Sequence, residues 1–356
     1  MKLTDVVNRI NGNVDRFTTD LEYYIGGEHF ESRELEISNK GLIKPNLNIL
    51  GFKFHFAFQE RDVIFMARNP HLRKAGMVFF SGLCSDASYI LRSKDEKILT
   101  QEYLAVMLQS DHFWDYCEAH KVGSVNFAIN WKTMANYEFD LPSLEKQNEI
   151  SKKVWAAYRL KKSYKKLIEA TDEMVKSQFI EMFGNGNWEQ KALGQVGTFK
   201  RGGGFQKSDY VERGIPCIHY GQIHTKFGPF IYSHITEISS DLESKTKFAA
   251  KGDLIIAITS EDTEGSCKST AWLGDYPVAV GGHATIFHHC MNPVYMSFFF
   301  KSALFNYAKM EYVHGTKVCE IKPDDIAKIL VPCPPMSLQE DFSAIAQQAD
   351  KSKYIN

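Results

Sequence analysis

Ser143 to Gly184 reads SLEKQNEISKKVWAAYRLKKSYKKLIEATDEMVKSQFIEMFG, and this stretch decides the architecture. It holds no proline, and no glycine before Gly184, which stands where a helix C-cap residue belongs. Leu141-Pro142 interrupts regular structure just ahead of it, and Ser143 is the N-cap candidate, with Lys146 rather than an acid at the third helical position. At ~1.5 Å per residue such a helix is about 60 Å long, more than one small core can cover. Stepping by four and three gives a heptad seam of Ile150, Val154, Ala157, Lys161, Tyr164, Ile168, Thr171, Val175, Gln178 and Met182, interrupted at Lys161, Thr171 and Gln178. The pattern predicts a spacer between two bodies that packs against a second helix.

The chain has 356 residues, enough for two domains with cores of their own. Its formal net charge is −1, so no overall basic field announces a polyanionic partner, and local patches must carry any such reading. The seven cysteines show neither a CxxC pair nor zinc-ligand spacing, and an odd, scattered set fits a reducing compartment. Met1-Lys2-Leu3-Thr4-Asp5 does not read as a signal peptide, and no apolar run approaches the ~20 residues that span a bilayer. The expectation is a cytoplasmic protein without a membrane partner.

Residues 1 to 142 form the first body. Leu3, Val6, Val7 and Ile10 have helical spacing. Tyr23-Tyr24-Ile25 precedes a Gly26-Gly27 turn, and Leu50 to Phe58 predicts a strand with Phe52, Phe54, Phe56 and Phe58 on one face. Further strands are expected at Val63 to Met66, Met77 to Phe80 and Ala87 to Leu91, and one amphipathic helix at Gln101 to His120. A glycine loop, Lys121-Val122-Gly123-Ser124-Val125-Asn126, comes next.

Residues 185 to 334 repeat this order. Tyr103 and Tyr295, Ser110 and Ser302, Phe113 and Phe305, Gly123 and Gly315, Ile129 and Ile321, Pro142 and Pro334, and Gln147 and Gln339 are each 192 positions apart. So many matches at one spacing argue for a tandem duplication whose copies share a scaffold and differ in what they present. After Pro334-Pro335, residues 335–356 restart the helical pattern and supply a short antiparallel partner for the central helix.

Motifs for catalysis are largely missing. Gly202-Gly203-Gly204-Phe205-Gln206-Lys207-Ser208 resembles a phosphate loop, but Gln206 occupies the place of the last glycine. Asn69-Pro70-His71 and Asn292-Pro293-Val294 both fail the Asn-Pro-Pro-aromatic pattern of amino-methyltransferases, and neither HExxH nor GxSxG occurs. His288-His289-Cys290 could in principle ligate a metal, although a strand end with ordinary side chains is the simpler reading. What remains is a set of polar and basic loops. Arg, Asn and Gln suit base edges, while Lys and glycine amides suit phosphates. The candidate DNA-contacting residues are Arg9, Arg68, Asn69, His71, Arg73, Lys74, Ser124 and Asn126 in the first body, and Lys200, Arg201, Lys207, Gln222, Ser260, Lys268, His283 and Lys317 in the second. Lys152, Lys153, Arg159, Lys161, Lys162, Lys165 and Lys166 add a basic stripe on the central helix, which reads equally as a solvated face.

Leu141-Pro142-Ser143-Leu144-Glu145-Lys146-Gln147 before the long helix, and Pro334-Pro335-Met336-Ser337-Leu338-Gln339 repeating it, resemble the DNA-specificity subunits of type I restriction-modification systems. Tyr24-Ile25-Gly26-Gly27-Glu28-His29, Arg68-Asn69-Pro70-His71-Leu72-Arg73-Lys74 and Trp188-Glu189-Gln190-Lys191-Ala192-Leu193-Gly194 resemble them too, so the likeness spans nearly the whole chain. It implies an α+β fold with two tandem mixed α/β target-recognition domains, separated by long antiparallel coiled-coil helices as a pseudo-twofold repeat. It also implies a non-catalytic chain that reads a bipartite site on double-stranded DNA. Modification subunits that bind S-adenosylmethionine and an ATP- and Mg-dependent motor-nuclease subunit would then be its partners. The second helix is short for that family, which raises self-association through the spacer helices as a further expectation. Competing readings are the specificity subunit of a related type II methyltransferase-nuclease, a methyltransferase or nuclease with degenerate motifs, and a pseudo-dimer that binds only protein.

Overall fold

The computed structural model describes residues 1–184, 186–315 and 318–352. The chain divides into two compact units, Met1–Lys165 and Lys166–Asn356. One uninterrupted helix, Leu144–Phe183, runs from the first into the second. Its start is capped by Ser143, whose hydroxyl accepts from the Lys146 amide at 3.3 Å.

In the first unit a short helix, Leu3–Val6, leads directly into a strand, Val7–Ile10, so the helical spacing read through Ile10 ends one turn in. That strand lies at the edge of an antiparallel sheet ordered Val7–Ile10, Ser88–Ser93, Val63–Met66, Ala75–Met77. Val63–Met66 is buried along its whole length, as a central strand covered on both faces should be. A second sheet is ordered Gly41–Leu42, Tyr23–Ile25, Gly82–Ser85, Phe54–Phe58, and Tyr23–Ile25 runs parallel to Gly82–Ser85. Phe52 lies outside the strand expected to include it and is 77% exposed. The single helix expected from Gln101 to His120 is two, Gln101–Met107 and Asp111–Ala119. Ser110 causes the break: its side chain accepts from the Phe113 amide and starts a new helix.

The second unit repeats this plan. Helix Leu193–Val196 leads into strand Gly197–Arg201, and its sheet runs Gly197–Arg201, Ala284–His289, Leu254–Ala257, Ser269–Trp272, with Phe230–Ile231 added parallel at the far edge. In its second sheet Ile215–Ile218 runs parallel to Val278–Val280, with Lys247–Ala249 antiparallel on the other side. Ser302 caps its helix as Ser110 does, and Gly123 and Gly315 take φ of +109° and +104°, which an L side chain rarely adopts. Asp62 and Asp253 are likewise equivalent. Each is buried, accepts a turn amide (Gln59 or Ala250), and meets a cationic or imidazole group of the adjacent strand, Arg92 or His288.

Both helices that come after a proline boundary are fastened by a glutamine. Gln147 is fully buried; its carbonyl oxygen accepts from the Thr100 amide at 3.0 Å and its amide donates to the Ile98 and Pro142 carbonyls, both at 2.9 Å. Gln339, 3% exposed, accepts from Asn292 at 2.9 Å and donates to Pro334 at 2.8 Å. Thr100 and Asn292 are themselves the N-caps of the helices they precede. Replacing Gln147 with Leu strands the buried Thr100 amide, at about 1–3 kcal/mol, and takes a donor from two less buried carbonyls. The expected result is a loss of about 1–3 kcal/mol in urea unfolding of the first unit. A change below about 0.5 kcal/mol would show that the clamp is dispensable.

The central helix buries a face displaced by one residue from most of the heptad seam expected of it, sharing Val175 with that seam. Gln147, Ser151, Trp155 and Tyr158 are buried in the first unit, and Val175, Phe179 and Phe183 in the second. Ala157 is exposed, and Ile150, Val154, Gln178 and Met182 only flank the contact. Phe179 meets Phe183, Tyr295 and Phe342 with ring centroids 5.0, 5.6 and 5.2 Å apart. Phe342 belongs to the last helix, Met336–Ser352, which thus packs on the final turns of the central helix. Among the described residues no helix is long and apolar enough to cross a membrane.

Candidate nucleic-acid interface

In the first unit two of the predicted loops are neighbours. Arg68 bridges to Ala128, Val122 bridges to the same residue, and the Asn69 amide donates to the Phe127 carbonyl at 2.8 Å. Arg68, His71, Ser124 and Asn126 are exposed, and no side-chain partner is found for them among the described residues. Three other candidates have work within the fold. Arg9 lies 4.3 Å over the Tyr89 ring. Arg73 pairs with Asp111 and reaches Asp115 at 3.6 Å; together with Arg33 it holds the Asp111 carboxyl below the usual carboxylate range. Lys74 donates to the Gly27 carbonyl at 2.8 Å. Asn69 and Arg73 both sit in the left-handed region, bracketing the tight Pro70–Leu72 turn that presents His71.

The second unit gathers its loops more tightly. A cleft of about 620 Å³ is lined by Tyr220, His224, Ser260, Glu261, Lys268 and His283, among others. Four of the separate loops singled out in the sequence therefore converge on one concavity. The Tyr220 ring stands 5.1 Å from His283 and 6.0 Å from His224. Lys200, Lys207, Lys268 and His283 are exposed; Arg201 donates to the Gly282 carbonyl at 3.0 Å and lies 3.6 Å from Glu320. Gln222 is not presented to solvent. It is buried, accepts from the His219 amide and donates to Thr236, so it caps its own helix. Ser260 is also buried, its hydroxyl taking the Asp262 amide. Lys317 lies outside the described residues.

Two residues of this site have no sequence motif. Lys309 is 2% exposed and donates to the carbonyls of Glu264 at 3.0 Å and Ser266 at 2.7 Å, bracing the loop beside the cleft from beneath. Burial lowers its pKa and pushes the neighbouring Cys267 thiol up to about 12. The available signal is its place one helical turn after Phe305, on the inward face. The second is Glu261, whose loop was visible but whose lack of an ion pair among the described residues was not.

The glycine run at Gly202 is no phosphate loop. Gly203 bridges to Gly281, and a Cβ at Gly202 would strike the carbonyls of Val280 and Gly281, so glycine is needed there for close backbone approach. His288 is engaged by Asp253 at 2.6 Å, burial pushes His289 down to about 4, and among the described residues no cluster of His, Cys, Asp or Glu could hold a metal. The basic stripe of the central helix is partly neutralised, with Lys161, Lys162 and Lys165 facing Glu34, Glu36 and Glu31 at 2.7, 2.9 and 3.9 Å.

Residues 1–170 match the model of the type I restriction modification DNA specificity domain. Among solved structures, the type I restriction-modification S subunit from M. genitalium aligns with a TM-score of 0.60 at 12% identity, covering 99% of this chain and 89% of its own. A chain from a study of complex assembly and conformational transition in the type I R-M system aligns at 0.53 and 18% identity, over 99% of this chain and 90% of its own. No curated protein sequence matches significantly. Over residues 1–170 the chain is thus similar to the type I restriction modification DNA specificity domain, and its fold is similar to that of the M. genitalium S subunit.

Proposed function

We propose that this chain is the DNA-specificity subunit of a cytoplasmic type I restriction-modification system, and that each unit reads one half of a bipartite double-stranded target. The observation that carries this reading is the repeat: one sheet topology twice, with the same caps and clamps, and different loops at corresponding places. A shared scaffold with divergent loops is what two different half-sites require. Arg68, His71, Ser124 and Asn126 then face DNA from the first unit, and Lys200, Arg201, Lys207, Lys268 and His283 from the second. The chain itself supplies specificity and no catalytic group. Methyl transfer from S-adenosylmethionine belongs to modification subunits, and ATP- and Mg-dependent translocation and cleavage to a motor-nuclease subunit.

Methylation mapping in a host carrying this gene with its partner genes tests the reading, and a single motif with two specified halves is expected. Phosphate contacts are tested separately. Replacing Arg201 and Lys207 with Ala should weaken DNA binding and flatten its log–log salt dependence by about one unit per lost contact. Unchanged affinity and slope in a folded variant would remove both residues from the interface.

A further inference from the structure

The cleft of the second unit contains a carboxylate that no described residue engages. Asp262 accepts the Gly265 amide at 2.5 Å, and Glu320 lies beside Arg201. Glu261 is exposed on the cleft wall, with no hydrogen bond or ion pair among the described residues. Close to it in the chain, Thr259 is more than nine-tenths buried, lines the same cleft, and has a hydroxyl without a partner among the described residues. The loop running on from Glu261 is braced by Lys309 and turns through the left-handed Cys267. The Thr259 carbonyl, just before Glu261, is bonded to His224 at 3.1 Å. Glu261 is thus held on a preorganised support.

A bare carboxylate is a liability in a surface that must approach a polyanion, because phosphates within a Debye length of about 8 Å repel it. Only a hydrogen-bond donor on the DNA offsets that cost. In the major groove the bases offer two such donors, the amino groups of cytosine and adenine. Adenine presents its amino group beside the N7 acceptor, so a carboxylate placed there meets a lone pair, and an amide side chain fits better. Cytosine offers its amino group without that neighbour. Its paired guanine presents two acceptors, O6 and N7, which suit a side chain that only donates, as Lys268 in the same cleft does.

We propose, resting on the specificity-subunit reading, that Glu261 accepts the amino group of a cytosine in the half-site read by the second unit, and that Lys268 reads the guanine paired with it. Methylation mapping of the complete system with wild-type chain, Glu261→Gln, Glu261→Asp and Lys268→Ala tests this. The wild-type motif should hold a C·G pair in the half that a replacement of residues 166–356 alters. Glu261→Gln should admit other bases at that pair, with discrimination falling about 10- to 100-fold. It should also raise non-specific affinity of the purified chain for a random duplex, since a repulsive charge is gone. Glu261→Asp should keep the cytosine preference in weakened form, and Lys268→Ala should relax the same pair. A second half-site without a C·G pair would overturn the proposal, as would a Glu261→Gln motif unchanged at that pair. Absence of any sequence-specific methylation with the wild-type chain would instead overturn the reading beneath it.

Discussion

Exchanging residues 1–165 for the corresponding segment of another specificity chain should replace one half of the methylated motif entirely and leave the other half unchanged. The junction matters. A cut at Pro142 respects the proline boundary, but it leaves behind Gln147, Trp155 and Tyr158, which complete the first core and fasten its helix Gln101–Met107. The Trp155 indole, for example, donates to the Glu102 carbonyl at 3.3 Å. Truncating contacts of this kind costs about 3–5 kcal/mol per large aromatic side chain. An exchange of residues 1–142 should therefore give active protein only when the donor body fits that retained helix face. An exchange ending at Lys165 carries its own contacts with it. The core built around Phe179, Tyr295 and Phe342 contains no residue from before Val175, so the second half of the motif has no physical reason to change. A motif altered in both halves by the 1–165 exchange would mean that the units do not read independently.

The repeat was legible in the sequence because its framework residues answer to local geometry. Ser110 and Ser302 are there to start helices, Gly123 and Gly315 to take positive φ, and Gln147 and Gln339 to satisfy backbone groups at a proline boundary. Residue types fixed by such requirements survive when surrounding side chains diverge. The long helix was legible for the same reason, since its capping serine and its freedom from proline and glycine are local properties.

Partners distant in sequence were not legible. The heptad reading of the central helix missed most of its buried face because Trp155 and Phe179 find their contacts in sheet-bearing units and not in one long coiled-coil seam. Lys161 pairs with Glu34, 127 positions away, and no periodicity on the helix records that. Arg73, Lys74 and Gln222 have the residue types of DNA contacts and spend them inside the fold. Composition identifies which side chains can bind a base, but only the tertiary partners determine which remain available. The cleft shows the converse case. Glu261 is an acid that composition alone would not place in a nucleic-acid interface, and it becomes informative once it is seen to have no ion pair among the described residues.

Four residues inserted after Ala170 should lengthen the unspecified gap in the methylated motif and preserve both specified halves. The choice of position rests on where the helix is fastened. Contacts with the first unit extend through Lys161, Lys162 and Lys165, and burial in the second begins at Val175. Lys166 to Ala170 are exposed, so an insertion there disturbs neither anchor. Four residues add about 6 Å at ~1.5 Å per residue and a little over one full turn at ~3.6 residues per turn, so the helix beyond Ala170 roughly keeps its angular phase. B-DNA rises ~3.4 Å per base pair, so the added length corresponds to one or two base pairs. Inserting two residues instead rotates the helix beyond Ala170 by roughly half a turn. That variant should lose methylation, because half a turn changes the phase with which the helix would present the second unit to the duplex. Mapping both variants separates length from phase. An unchanged gap in an active four-residue variant, or full activity in the two-residue variant, would mean that the Leu144–Phe183 helix does not set the spacing of the two half-sites.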